Sequence, residues 1–328
     1  MEFLIPVGLV LLGLSLLAGG GEALVRAATT IAEIAGVSPA VIGLTVVAIG
    51  TSLPELVVSV LASTSGQPEL AIANVIGSNI FNIAATLGLT AMIIPLPVHG
   101  SAVRLEWPVM FAASLVTLFV AGDGSIDRLE GTVLLVALVM FIAYTVRVAR
   151  RDLGRAELKQ IEEHIDTRDI GPSASARAGR GLPVALGVLA AGVLGLVAGG
   201  HFLVDGAVQL ARLAGLSERV IGLTIVAGGT GAPELATSLV AAFRKRTDVA
   251  IANMIGSNIF NLLGILSVTA IVTPVPVAPA LVRQDMWWMI GSALVLLPLM
   301  KSNGRISRLE GAGLTGGYVT YLVLLLRA

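Results

Sequence analysis

Apolar residues run along this chain in blocks of roughly 20 that hold few charges, parted by short polar or Gly/Pro-marked breaks. A helix of that length rises about 1.5 Å per residue and so matches a bilayer core of roughly 30 Å. Ten such spans are expected, at residues 3–33, 39–62, 70–94, 104–121, 127–149, 183–213, 219–243, 249–273, 284–300 and 309–326. The first block follows Glu2 and has no Lys or Arg before it, so it reads as a membrane helix rather than a signal peptide. One polar stretch is long, and it divides the chain into residues 1–149, a linker at 150–182 and residues 183–328. The linker mixes charge with a Gly/Pro/Ser tail, and a short amphipathic helix is expected within 153–165.

Composition sharpens this picture. Of 328 residues, 55% are hydrophobic and 13% charged, and the mean hydropathy is +0.92. A soluble domain carries roughly 25% charged residues, so these charges cannot cover a water-facing globule of this size. The fold class expected is an all-α membrane protein whose partner is the lipid bilayer. There is no cysteine, which excludes disulfides, thiolate metal sites and cysteine nucleophiles. Three histidines (His99, His164, His201) make a multi-histidine metal site improbable. Net charge is zero with no basic domain, which argues against nucleic acid as a partner.

Residues 41–82 and 220–261 align without a gap at an offset of 179, with about 25 identities in 42 positions. The likeness extends outward: Arg104 and Glu106 answer to Arg283 and Asp285, and DRLEG (127–131) answers to SRLEG (307–311). Each half then holds five spans. Five is odd, so the second half enters the membrane with the opposite orientation, an inverted-topology repeat of the kind that builds many secondary transporters. The linker carries Arg150, Arg151, Arg155, Lys159, Arg168, Arg177 and Arg180, and by the count of Lys and Arg it is expected in the cytoplasm of a cell with a plasma (inner) membrane. That choice puts Arg244, Lys245, Arg246, Lys301, Arg305 and Arg308 inside as well. It puts residues 63–69, 123–127 and both termini outside, with Arg128, Arg219 and Arg283 there against the trend.

Glu55 and Glu234 occupy equivalent places near the middle of the second and seventh spans. A charged carboxylate at that depth costs roughly 2.5–3.5 kcal/mol on insertion scales, and no Lys or Arg shares those helical stretches. Two symmetric acids without a basic partner point to bound cations or protons. Thr51 and Thr230 stand four residues before them, on the same helical face. Pro54 and Pro233 have no N–H for the carbonyls of Gly50 and Gly229, so AIGTSLPE and AGGTGAPE are expected to kink and to free carbonyls over 48–50 and 227–229. Carboxylate, hydroxyl and carbonyl oxygens are what Ca²⁺ requires, six to eight of them at about 2.3–2.6 Å. Asn74, Ser78 and Asn82, with Asn253, Ser257 and Asn261, stripe the third and eighth spans at i, i+4 and i+8. Ser78, Asn82, Ser257 and Asn261 are expected to face the glutamates. For Asn74 and Asn253 helix packing is an equal reading.

GTSLPE with GSNIFN, repeated as GTGAPE with GSNIFN, resembles the α-repeats of the cation/Ca²⁺ exchanger superfamily, and most closely those of prokaryotic sodium/calcium exchangers. The resemblance implies an antiporter of ten helices in two inverted halves. It exchanges Ca²⁺ for Na⁺ by alternating access, with the first and sixth spans sliding across the core. It also implies a cation site built from Ala48, Thr51, Ser52, Glu55, Ser78 and Asn82 with Ala227, Thr230, Glu234, Ser257 and Asn261. No catalytic residue, enzyme activity or cofactor is implied beyond the transported Ca²⁺ and Na⁺.

The second repeat departs from the family pattern. Gly231 stands where the serine is usually repeated, and Ala232 replaces a bulky residue. With Asn at both 82 and 261, two carboxylates balance one Ca²⁺ or two monovalent ions. A Ca²⁺/H⁺ antiporter therefore stays open beside Na⁺ coupling, with a passive channel as a more distant alternative. Glu22, Arg26, Glu33, His201 and Asp205 read as a gate, an ion pair or interfacial anchors. Trp107, Trp287 and Trp288 read as an interfacial belt.

Overall fold

The computed structural model describes residues 3–66, 68–98, 100, 102–163, 174–215 and 227–327. His99, His164, Arg219 and the start of the second repeat core, residues 220–226, lie outside the described residues. The first half holds α1 (Leu4–Ala35), α2 (Pro39–Thr51), α3 (Leu53–Thr64), α4 (Pro68–Ile93), α5 (Ala102–Asp123) and α6 (Arg128–Glu163). The second holds α7 (Ala174–Leu213), α8 (Ala227–Thr230), α9 (Ala232–Phe243), α10 (Thr247–Val272), α11 (Met286–Lys301) and α12 (Arg308–Arg327). The polar segment around residue 150 is thus helical at both ends, α6 continuing to Glu163 and α7 starting at Ala174. Four two-residue strands cap the helices: β1 (Leu96–Pro97), β2 (Ser125–Ile126), β3 (Val275–Pro276) and β4 (Arg305–Ile306).

Seven described helices are long and apolar enough to cross a membrane, or eight when α2 and α3 count as one bent span. The remaining expected spans contain shorter helices, α9 with 12 residues and α11 with 16. Polarity is turned inside out relative to a soluble protein. Phe119 and Leu309 are 84% and 86% exposed, while Thr51, Ser52, Glu55 and Glu234 are buried. Only a lipid surrounding makes that distribution favourable. One apolar core runs through both halves, with Ile72, Ile76 and Ile80 of α4 packed among Met110, Ile255 and Ile259.

Sequence-equivalent elements run in opposite directions. β1 pairs antiparallel with β4, and β2 with β3, although β1 corresponds to β3 and β2 to β4. Since α5 leads from β1 to β2 and α11 from β3 to β4, these two packed helices are antiparallel. The same holds for α1 and α7, which approach through glycines. A Cβ added to Gly20 would lie 2.8 Å from the Gly192 carbonyl oxygen, and one on Gly199 would lie 2.8 Å from the Leu17 nitrogen. Gly206 meets Pro6 and Val10 at one end, and Gly181 faces Ile34 at the other. Small residues let helix backbones come this close, where dispersion contacts rather than the hydrophobic effect hold membrane helices together.

The DRLEG and SRLEG motifs prove to be helix starts. The Asp127 N–H donates to Glu130 (2.9 Å) and the Glu130 N–H to Asp127 Oδ1 (2.8 Å). Ser307 and Glu310 repeat this capping box at 2.7 and 3.3 Å. Trp107 departs from the belt expectation. It is buried, donates its indole N–H to the Ala293 carbonyl at 2.7 Å, and stacks on Phe111. Its partner carbonyl belongs to α11, so the antiparallel α5–α11 packing draws the ring inward. Trp287 remains exposed.

Candidate cation site

The expected kink is present. α2 and α3 meet at a 43° bend, with Ser52 at the break in a non-helical conformation (φ −86°, ψ 9°). Gly231 separates α8 from α9 with nearly the same angles (φ −82°, ψ 4°). Pro54 and Pro233 stand two residues further on, inside the first turn, where a missing N–H costs least. The freed carbonyl is narrower than the sequence suggested. Ala48 accepts the Ser52 N–H at 3.1 Å and the Thr51 hydroxyl at 3.3 Å, so its carbonyl is engaged. The reason is register: proline removes the donor four residues ahead of Gly50, while Ser52 still has its own N–H for Ala48.

Both glutamates are fully buried. Ser52 donates its hydroxyl to Glu234 Oε1 at 3.0 Å, so a side chain of the first repeat holds the acid of the second. Oε2 of each glutamate has no hydrogen-bond partner. Among the described residues neither acid pairs with a basic group; the ion pairs found join Glu22 to Arg26 within α1 and to Arg244 just past the end of α9. The expected grouping of Glu22 and Arg26 is therefore an ion pair, remote from the two acids.

The remaining candidate residues divide. Thr51 turns toward α10, with its hydroxyl 3.4 Å from Asn253 Oδ1 and 3.5 Å from Ser257 Oγ. Asn82 and Asn261 both lie in wide π-helical turns, 81–87 in α4 and 261–265 in α10, the local geometry that functional sites in helices often use. Asn82 Oδ1 and both polar atoms of Asn261 are buried without partners. A native protein seldom buries polar groups unpaired, so these oxygen atoms are available as ligands. Asn74 takes the packing role, donating to the Glu55 carbonyl (3.3 Å) and to Ser59 Oγ (3.0 Å). Asn253 instead meets Thr51 across the repeats. Ala227 opens α8, and Thr230, Ser78 and Asn74 line a cavity of about 410 Å³ with Phe81 and Tyr318. A larger cavity of about 720 Å³ lies between α11 and α12, away from the two acids.

Asn79 and Asn258 escape a reading of the i, i+4, i+8 stripe, because they fall one position beyond Ser78 and Ser257. Asn82 Nδ2 donates to Asn258 Oδ1 at 3.1 Å, and Asn258 Nδ2 reaches the Asn79 carbonyl at 3.4 Å. They tie α4 to α10 at the centre of the molecule. The signal lies in the duplicated GSNIFN, whose first asparagine falls off the i, i+4, i+8 stripe. Phe81, from the same hexapeptide, packs against Gly231.

Comparison with known proteins agrees with this architecture. The family model described as sodium/calcium exchanger protein matches residues 5–147 and 184–327. The inner membrane protein YrbG of Escherichia coli is 34% identical over 330 residues, covering 98% of this chain and 97% of the relative. The sodium/calcium exchanger MaX1 of Methanosarcina acetivorans is 30% identical and covers 97% of both chains. A solved structure of the sodium-calcium exchanger NCX_Mj superposes with a TM-score of 0.80 at 32% identity, covering 98% of both chains.

Proposed function

Because the chain belongs to the sodium/calcium exchanger protein family, we propose that it is a secondary antiporter that exchanges Ca²⁺ for Na⁺ by alternating access. The observation that carries this reading is the pair Glu55 and Glu234, both buried, each with an unpaired Oε2 and neither with a basic partner among the described residues. Two acids left empty in a closed interior of low dielectric cost several kcal/mol, so occupied states alone cross readily. Loading by Ca²⁺ or by competing monovalent ions then becomes a condition of movement, which is what couples the two fluxes.

In this reading Glu55 and Glu234 flank Ca²⁺. Thr51, Ser52, Thr230, Ser78, Ser257, Asn82 and Asn261, with the carbonyls of Ala227 and of Ala48, the latter once the Thr51 hydroxyl turns from it to the ion, complete the oxygen shell around it and around Na⁺. The ten spans form two inverted sets of five, a reading supported by the antiparallel α5–α11 and α1–α7 pairs. α1 and α7 form the moving pair, and the linker lies on the cytoplasmic side of the plasma membrane.

The test is ⁴⁵Ca²⁺ uptake into proteoliposomes loaded with Na⁺ and diluted into Na⁺-free buffer, beside a set given only a pH gradient. Uptake driven by Na⁺ is expected. Uptake driven by the pH gradient alone would make the counter-ion H⁺, the second reading, which Gly231 favours because its hydroxyl ligand is missing. Uptake under neither gradient would reject Ca²⁺ exchange.

A further inference from the structure

The two halves of the site are not equivalent. Ser52 fills the break of the first repeat and holds Glu234. By repeat equivalence, a serine at 231 would hold Glu55. The backbone there is prepared for one, since the angles at Ser52 and Gly231 nearly coincide. The space is taken instead. A Cβ on Gly231 would lie 2.5 Å from two ring carbons of Phe81, closer than carbon atoms approach. Phe81 is braced in place by an edge-on contact with Tyr318, ring centroids 5.5 Å apart. A phenyl ring brings no oxygen lone pair to a hard cation and leaves less room for a water to supply one.

Charge leads to the same count. The site holds two carboxylates, and the other repeat-equivalent positions are neutral amides, Asn82 and Asn261. Among the described residues no third acidic or imidazole side chain joins the two glutamates. Two negative charges are balanced by one Ca²⁺ or by two monovalent ions. A third monovalent ion adds a buried positive charge that only a complete set of ligands could hold, and its hydroxyl ligand is missing.

We propose that this chain exchanges two monovalent cations for each Ca²⁺, an electroneutral cycle, and that Phe81 packed on Gly231 sets this count by occupying the place of a third ion's ligand. The proposal rests on the antiporter reading but not on whether the monovalent ion is Na⁺ or H⁺.

The count is read on the wild-type protein in proteoliposomes. Under an about tenfold gradient of the driving ion, Ca²⁺ should accumulate about 100-fold rather than about 1,000-fold. That level should not move when a K⁺ diffusion potential is imposed with valinomycin, because no net charge crosses. In detergent, whichever of Na⁺ and H⁺ drives uptake should displace ⁴⁵Ca²⁺ with a Hill coefficient of about 2 at most. Accumulation that follows the imposed potential would overturn the count while leaving the antiporter reading intact. No Ca²⁺ binding and no uptake under either gradient would overturn both.

The role of Phe81 is tested separately. Gly231→Ser alone should lose most uptake, because the new side chain meets the ring. Adding Phe81→Ala should restore uptake and make it sensitive to the potential. A Gly231→Ser variant as active as wild type, or a restored double variant still indifferent to the potential, would remove Phe81 from the explanation.

Discussion

The Ser52 hydroxyl donates to Glu234 Oε1 across 3.0 Å and 182 residues of sequence, so the acid of the second half is held by the first. A hydrogen bond to a charged group contributes about 1.5–3 kcal/mol. Ser52→Ala should therefore weaken the apparent affinity for the transported cation roughly 10- to 100-fold, read as a raised half-saturation concentration in ⁴⁵Ca²⁺ uptake. Ser52→Thr keeps the donor and should stay within a few-fold of wild type. Equal losses in the two variants would show that packing at the bend, not the hydroxyl, is what matters.

Neutralising either acid should end exchange without unfolding the protein. Glu55→Gln and Glu234→Gln are near-isosteric and remove a buried charge that has no basic partner, so the empty fold should not suffer. Uptake should fall below detection, while gel filtration and thermal unfolding in detergent stay at or above wild-type values. Retained transport in either variant would dismiss that glutamate as a ligand.

What could be read from the sequence was what repeats or what is local. The spans, the duplicated acids, the bend before Pro54 and the capping boxes each follow from a few neighbouring residues. Contacts between the halves were not readable in the same way. Whether Ser52 serves Glu55 or Glu234 depends on how two helices cross, and no spacing within one repeat decides that. Trp107 failed for a related reason, since aromatic composition near a span end suggests the lipid interface until a neighbouring helix supplies a carbonyl for its N–H. Ala48 shows the limit of a proline argument, because the position of the lost hydrogen bond is known from register but the use of the remaining ones is not.

The contact of Asn258 with Asn82 and with the Asn79 carbonyl joins α4 to α10 where both are most enclosed. Removing one partner of a buried hydrogen bond leaves the other unsatisfied, at a cost of about 1–3 kcal/mol. Asn258→Ala should thus lower the unfolding temperature in detergent by several degrees. Asn79→Ala should do less, because Asn79 offers Asn258 only its backbone carbonyl, which the substitution retains. The reverse order of effects would show that the Asn79 side chain, not Asn258, carries the link.

Strand pairing and charge together predict which loops face which solution. β2 pairs with β3 at one end of the antiparallel α5 and α11, and β1 pairs with β4 at the other. Gly122 lies just before β2, and Lys301 ends α11 just before β4, so the two should sit on opposite faces of the membrane. The absence of cysteine makes this easy to check, since a single introduced thiol is the only one present. A Cβ at Gly122 meets nothing within 4 Å, and Lys301 is exposed, so neither substitution should disturb the fold. With the linker on the cytoplasmic side, as proposed from its Lys and Arg, Gly122→Cys should react with a membrane-impermeant maleimide in intact cells, and Lys301→Cys only after permeabilisation. Reversed labelling would keep the inverted repeat and turn the whole protein over. Labelling of both from one side would break the inverted arrangement itself, because α5 and α11 could not then both cross the membrane as paired.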